Sequence, residues 1–239
     1  MLNTIGITNI LVLVWFSVCW VGYTFYADSV NRNRHTLLTA MRDKRELWMR
    51  RMIERENRIF DSSIMSTLMR SVSLFASTTI FILAGLLAIL GSADKAQALL
   101  HEIPFVIPST ETQWEIKILL LLIIFVYAFF KFAWALRQFN YAIVLLGAAP
   151  PAEYANTDEA KEFAKSSANV ISLAVLNFNR GLRAYYFGLA ALSWFIHPVL
   201  FAVATIWVVA VLYRREFMSK TLGCLEGVPM PADFGRNAN

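Results

Sequence analysis

The chain is short of charge, and the shortage is local. Charged residues make up 16% of its 239 positions, where a soluble domain carries about 25%. Thirty consecutive residues, from Ala184 to Tyr213, contain no Asp, Glu, Lys or Arg. That run exceeds the ~20 apolar residues needed to cross a bilayer core. Cysteine is also scarce. Cys19 and Cys224 stand far apart, so neither a disulfide framework nor a C-x-x-C metal or redox motif is available. Cys19, inside a hydrophobic run, reads as a small buried apolar residue. Catalytic signatures are missing as well: there is no H-E-x-x-H, no Gly-rich phosphate loop and no G-x-S-x-G elbow. The three histidines, His35, His101 and His197, share no metal-ligand spacing. No cofactor and no metal are therefore expected, and an enzymatic role is the less favoured one. No module for nucleic acid is visible, and the net charge of +5 fits membrane orientation and anionic headgroups better than nucleic acid.

What is present is an alternation of long apolar runs and polar segments. It predicts an all-α integral membrane bundle in a single domain, with four transmembrane helices and long cytoplasmic helical extensions. The expected spans are residues 5–26, 71–90, 114–135 and 184–213. The expected amphipathic cytoplasmic helices are 36–60 and 158–182. The uncharged start, with no small-x-small cleavage site, reads as a retained first span and not as a secretory leader.

Between Ala27 and Ser63 nine Lys/Arg face six Asp/Glu. A break is expected at Asn31-Arg32-Asn33-Arg34. Beyond it Arg42, Glu46, Arg50, Glu54 and Arg58 alternate in sign every four residues, the spacing of an i,i+4 ladder of ion pairs. Leu38, Met41, Trp48, Met52 and Ile59 add an apolar stripe. Such a stripe serves local packing first, with a docking face as the alternative. Asp61-Ser62-Ser63 is a candidate bend, but no Gly or Pro falls between Tyr23 and Ala84, so an unbroken run from the ladder into the second span is the alternative. There Ser73, Ser77, Ala84, Ala88 and Gly91 share a face of small residues, suited to a close helix–helix approach in lipid.

The third run starts at Trp114 and meets no Gly or Pro until Gly147. Gly147-Ala148-Ala149-Pro150-Pro151 should end that helix. Thr157 is placed to cap the next one, with Asp158 and Glu159 in its first turn. With four spans, the two basic loops (27–63 and 136–183) fall on one side. The positive-inside rule makes them cytoplasmic and both termini periplasmic, although Arg214-Arg215 opposes this locally.

Several strings resemble a known bacterial family. They are Phe125-Val126-Tyr127-Ala128-Phe129-Phe130-Lys131-Phe132 with Arg137-Gln138-Phe139-Asn140-Tyr141, then Phe75-Ala76-Ser77-Thr78, Arg183-Ala184-Tyr185-Tyr186-Phe187 leading to His197-Pro198, and Leu212-Tyr213-Arg214-Arg215-Glu216-Phe217. The sequence is similar over nearly its whole length to the domain of unknown function 599. The resemblance implies a multi-span protein of the bacterial inner membrane and brings no catalytic residues with it.

Two polar constellations are left to carry function. One is intramembrane: His197 beside Pro198, with Ser77, Thr78 and Lys131. Pro198 should bend its helix, and His197 is either a proton relay or a hydrogen-bonded kink residue. Lys131 is either an ion contact or a snorkelling side chain. The other lies at the cytoplasmic interface: Arg137, Gln138 and Asn140 with Arg180 and Arg183, flanked by Asn177 and Asn179. These would contact a lipid phosphate or another anion, or else pin helix ends, with Asp61 and Glu56 as possible carboxylate partners. The expected partners are the bilayer with its anionic headgroups, and either further copies of the chain or another membrane protein. The first functional expectation is a non-enzymatic oligomer or accessory subunit of a membrane complex. A small oligomeric channel or transporter is the alternative, and a lipid-handling enzyme comes third.

Overall fold

The computed structural model describes residues 6–33, 36–92 and 110–227, the side chains of 31–33 and 226 excepted. The described residues are helical, with no strand among them. In chain order they form α1 (Ile7–Asn33), α2 (Leu37–Ile53), α3 (Ile59–Leu90), α4 (Glu111–Gly147), α5 (Asp158–Leu192), α6 (Pro198–Phe217) and the short α7 (Lys220–Glu226). Single 3-10 turns stand at Ala152–Tyr154 and Ser193–Phe195. Four stretches are long and apolar enough to cross a membrane: Ile7–Val30, Ile59–Leu90, Glu111–Gly147 and Pro198–Leu225.

Several stops and starts follow local chemistry. α1 ends at Asn33, inside the Asn/Arg run. Thr36 caps α2 in a reciprocal box: its hydroxyl accepts from the Thr39 N–H, and Thr39 Oγ1 accepts from the Thr36 N–H at 2.7 Å. α4 ends at Gly147, and Thr157 Oγ1 accepts from the Ala160 N–H at the head of α5.

Two readings fail. The ladder helix does not continue into the second span, because α2 stops at Ile53 and α3 starts at Ile59. No Gly or Pro is needed for this break. Asn57 Oδ1 accepts from the Ile59 N–H at 3.0 Å, and Ser62 N bonds the Arg58 carbonyl to open α3. Of the ladder pairs, Arg50–Glu46 forms at 3.0 Å, while Arg42 lies against Asp43. The uncharged run 184–213 is likewise not one helix. α5 carries the polar segment and the start of that run together as far as Leu192. A 3-10 turn follows, and α6 begins at Pro198, where proline suits the first helical position. The bend expected at Pro198 is thus a complete helix boundary.

The buried positions of α4 are the clearest organising pattern. Trp114, Ile118, Leu121, Phe125, Ala128, Phe132, Ala135, Phe139, Ala142 and Leu146 are all buried, at alternating steps of four and three. That spacing keeps one seam of a helix inward along its length. On α5 the buried positions are mostly small: Ala160, Ala164, Ser167 and Ala174 with the larger Ile171, then Gly181, Ala184, Gly188 and Ala191.

The chain divides into two compact units. The first contains Met1–Asp28, Leu74–Ala133 and Phe178–Leu212. Its core is aromatic. Phe16 meets Phe187 and Phe201 with ring centroids 5.8 and 5.0 Å apart, and Trp194 stacks on Phe201 at 5.1 Å. Around Phe132 stand Phe75, Phe178 and Tyr185 at 5.6–5.7 Å. Gly181 admits the Phe132 ring so closely that a Cβ there would collide with it. A Cβ on Gly188 would stand 3.0 Å from the Phe125 ring. These two glycines let α5 approach α4.

The second unit contains Ser29–Ser73, Trp134–Asn177 and Tyr213–Asn239. Its buried side chains include Met49, Met52, Ile53, Met65, Phe139 and Ile171. Asp61 is fully buried and holds the α2–α3 corner: its Oδ1 accepts from Trp48 Nε1 at 2.7 Å and from Arg55 Nη1 at 2.6 Å. Arg58 donates to the carbonyls of Ala149 and Pro150, and α2 touches α7.

Candidate functional site: a cationic cluster around Asp28

Within the first unit, α5 projects Arg180 and Arg183 from one face, three residues apart. Both reach the same carboxylate on α1. Asp28 Oδ2 accepts from Arg180 Nε at 2.9 Å and lies 2.7 Å from Arg180 Nη2. Its other oxygen accepts from Arg183 Nη2 at 2.6 Å. Two-pronged and charge-assisted, these bonds are the strong kind. Arg183 is 5% exposed, and its Nη1 is buried with no hydrogen-bond partner among the described residues. The Arg180 side chain is 27% exposed, so this is the arginine that a ligand can reach.

Lys131 on α4 completes the cluster. Its ammonium lies 5.3 Å from the centroid of the Tyr127 ring, one turn back on the same helix. Lys131 and Arg180 adjoin the contact at which the Phe132 ring meets Gly181, which places both cations at one level of the α4–α5 pair. Three cations and one carboxylate are gathered here. Asp28 neutralises one positive charge, which leaves about two in excess. Asp28 lies two residues before the end of the candidate span Ile7–Val30 and Lys131 lies inside Glu111–Gly147, where uncompensated charge is costly.

The remaining interfacial residues fall in the second unit. Gln138 and Asn177 are buried and bond each other, Asn177 Nδ2 donating to Gln138 Oε1 at 2.8 Å. Arg137 is exposed. It donates from Nε to Tyr141 Oη at 2.6 Å and lies 5.9 Å from the ring centroids of both Trp134 and Tyr141. Trp134 and Tyr141 are themselves exposed. An arginine between two outward aromatic rings is the pattern found where a helix leaves lipid for water. Asn140 is exposed. Asp61 serves the α2–α3 corner described above, so the carboxylate that takes Arg180 and Arg183 is Asp28. Arg45 on α2 donates to Ser172 Oγ at 2.9 Å. Burial, then the neighbouring Arg42, lower its pKa to about 10, against the opposing pull of Asp43, so it is charged at neutral pH.

The intramembrane candidates separate. Ser77 and Thr78 are exposed on α3, and Thr78 Oγ1 donates to the Leu74 carbonyl of its own helix. The buried hydroxyl of that stretch is Thr79. It donates to the Phe75 carbonyl at 2.6 Å and shares a 2.7 Å bond with Tyr185 Oη. His197 accepts at Nδ1 from the Val199 N–H at 3.1 Å, an N-terminal capping bond for α6. His35 and His101 lie outside the described residues. Among the described residues no group of His, Cys, Asp and Glu is arranged to hold a metal ion.

Asp28 is the residue that sequence reasoning missed. It is the only acid in the first candidate span, Ile7–Val30, two residues before that span ends. An acid there, with two arginines spaced i,i+3 at another apolar run, is a signal for a cross-helix ion pair.

Fold and site together define an all-helical protein with four candidate membrane spans and a partly buried cross-helix ion-pair cluster. The chain belongs to the family described as "Protein of unknown function, DUF599", which matches residues 11–221. No curated protein and no solved structure matches it.

Proposed function

We propose that the protein is a non-enzymatic integral membrane protein of the bacterial inner membrane that works as a homo-oligomer, with its two basic segments on the cytoplasmic side. One observation carries the self-association. The face of α3 bearing Ser73, Ser77, Ala84, Ala88 and Gly91 is exposed, and among the described residues nothing lies within 4 Å of a Cβ built on the adjacent Gly85. Lipid-facing positions need bulk, not smallness. Small side chains allow a second backbone to come close enough for dispersion and Cα–H···O contacts to hold two helices together.

Cysteine cross-linking in native membranes tests this reading. In a chain with Cys19 and Cys224 replaced by serine, Ala84→Cys and Ala88→Cys should form disulfide-linked dimers on mild oxidation. Thr78→Cys, exposed on another face of α3, should not. Ala84→Leu should reduce the oligomer seen after gentle detergent extraction. Absence of cross-linking at both stripe positions, together with a monomer in detergent, overturns the proposal.

A further inference from the structure

We propose that Lys131 and Arg180, backed by Arg183, form a binding site for a phosphate oxyanion at the membrane interface. This inference rests on the membrane reading of the chain but not on its self-association.

Three observations converge. The first is charge balance: Arg180 and Arg183 share the single carboxylate of Asp28, while the recorded contact of the Lys131 ammonium is an aromatic face and not an anion. A cluster with about two excess positive charges beside low-dielectric protein draws in a counter-anion. The second is reach. Lys131 and Arg180 are both partly exposed, so their N–H groups are open to a ligand. Arg183 stands behind them, and its buried Nη1 has no partner among the described residues. Its charge therefore adds to the field at the opening without being satisfied there. The third is depth. Lys131 stands three residues before Trp134 and six before Arg137 on α4, an outward aromatic–arginine group of the kind found at an interface. Phosphates of the headgroup layer lie at that level.

The chemistry required is a tetrahedral oxyanion with at least two oxygens to share between an ammonium and a guanidinium. A phosphodiester of an anionic phospholipid has this, and so does free phosphate. A planar carboxylate ligand would fit less well, because Asp28 already takes Nε and Nη2 of Arg180 and Nη2 of Arg183.

The experiment uses the purified full chain in detergent. Native mass spectrometry counts bound lipid after addition of phosphatidylglycerol or of phosphatidylcholine, and thermal unfolding is followed with each lipid and with inorganic phosphate. Phosphatidylglycerol should bind the natural chain in preference to phosphatidylcholine. Lys131→Gln should weaken that binding about ten-fold or more, Lys131→Arg should retain it, and Arg137→Gln should leave it within about two-fold. Lys131→Gln should melt like the natural chain without ligand, which shows that it folds. If it does not, the retained binding of Lys131→Arg against loss in Arg180→Gln carries the test. Stabilisation by inorganic phosphate that competes with the lipid assigns the site to a soluble anion; its absence assigns the site to the headgroup. Equal binding of the two lipids with no phosphate effect, or undiminished binding in Lys131→Gln, overturns the proposal. Neither result depends on whether the chain is monomeric.

Discussion

Adding one methyl group at Gly181 should destabilise the protein, although the same change raises helix propensity. Replacing an interior helical glycine by alanine gains about 1 kcal/mol. At Gly181 the new Cβ would overlap the ring of Phe132. The ring has no room to retreat: Phe132 is 0% exposed and is enclosed by Phe75, Phe178 and Tyr185. Overpacking of a close-packed site costs about 1–3 kcal/mol, and a clash with a fixed ring belongs at the upper end. The net expectation for Gly181→Ala is a loss of about 1–2 kcal/mol. For a chain of this size each kcal/mol moves Tm by about 2–4 °C, so the melting point should fall by about 2–8 °C. Gly22→Ala provides the opposite sign in the same assay. Gly22 lies within α1 with nothing inside 4 Å of a built Cβ, so its propensity gain should appear as a Tm raised by about 2–4 °C. Thermal unfolding of the detergent-solubilised chain, followed by tryptophan fluorescence, reads both. A double change, Gly181→Ala with Phe132→Leu, should recover part of the loss because the smaller side chain vacates the overlap. If Gly181→Ala proves as stable as the natural chain, the close α4–α5 approach is not what the glycine is for.

Asp28→Asn should be the most damaging single change in the cationic cluster, costing about 3–5 kcal/mol in a chemical unfolding series, because it leaves the Arg183 guanidinium, with 6% of its side chain exposed, uncompensated; a loss no larger than that of an exposed substitution such as Asn140→Ala would refute this. The Thr79–Tyr185 bond should show as coupling. Thr79→Val and Tyr185→Phe should each cost about 1 kcal/mol, and the double variant about as much as one of them; strict additivity would mean that the 2.7 Å contact carries no energy.

Sequence made the local decisions legible. The stop at Gly147 and the Thr157 cap follow from residue types that act on their own backbone. The expected spans 71–90 and 114–135 lie within α3 and α4, and the first, 5–26, lies within α1 from residue 7 on. What escaped is long-range. The break between α2 and α3 carries no Gly or Pro, and its corner is fixed by Asp61 gathering Trp48 and Arg55 from along the chain. The boundary at Pro198 was legible as a bend but not as a helix end, because an apolar run has the same composition on either side of a break. The four–three seam of α4 is hidden for a related reason. Apolar residues surround that helix, so inward and lipid-facing positions differ in packing and not in hydropathy. The Asp28 pairing joins residues more than 150 positions apart, and no single-sequence pattern specifies such a partner.

Small residues appear in two settings in this chain, and the contrast bears on the oligomer. On α5, Gly181 and Gly188 are small because aromatic rings of α4 fill the space above them, and the chain itself supplies the occupant. On α3, Ser77, Ala84 and Ala88 sit at the same kind of spacing but face outward, and the adjacent Gly85 has open space where a Cβ would stand. Large exposed side chains do occur on α3, among them Leu74, Phe81 and Leu87, so the helix does not lack bulk toward lipid in general. Ile80, also exposed, stands on the line between Ser77 and Ala84, so the uninterrupted small stretch is the one from Ala84 through Ala88 to Gly91. In a bilayer, association is driven by close packing and not by the removal of apolar surface from water. A line of small residues between larger ones therefore has the shape that a second α3 can enter, in the way that α4 enters α5 within one chain.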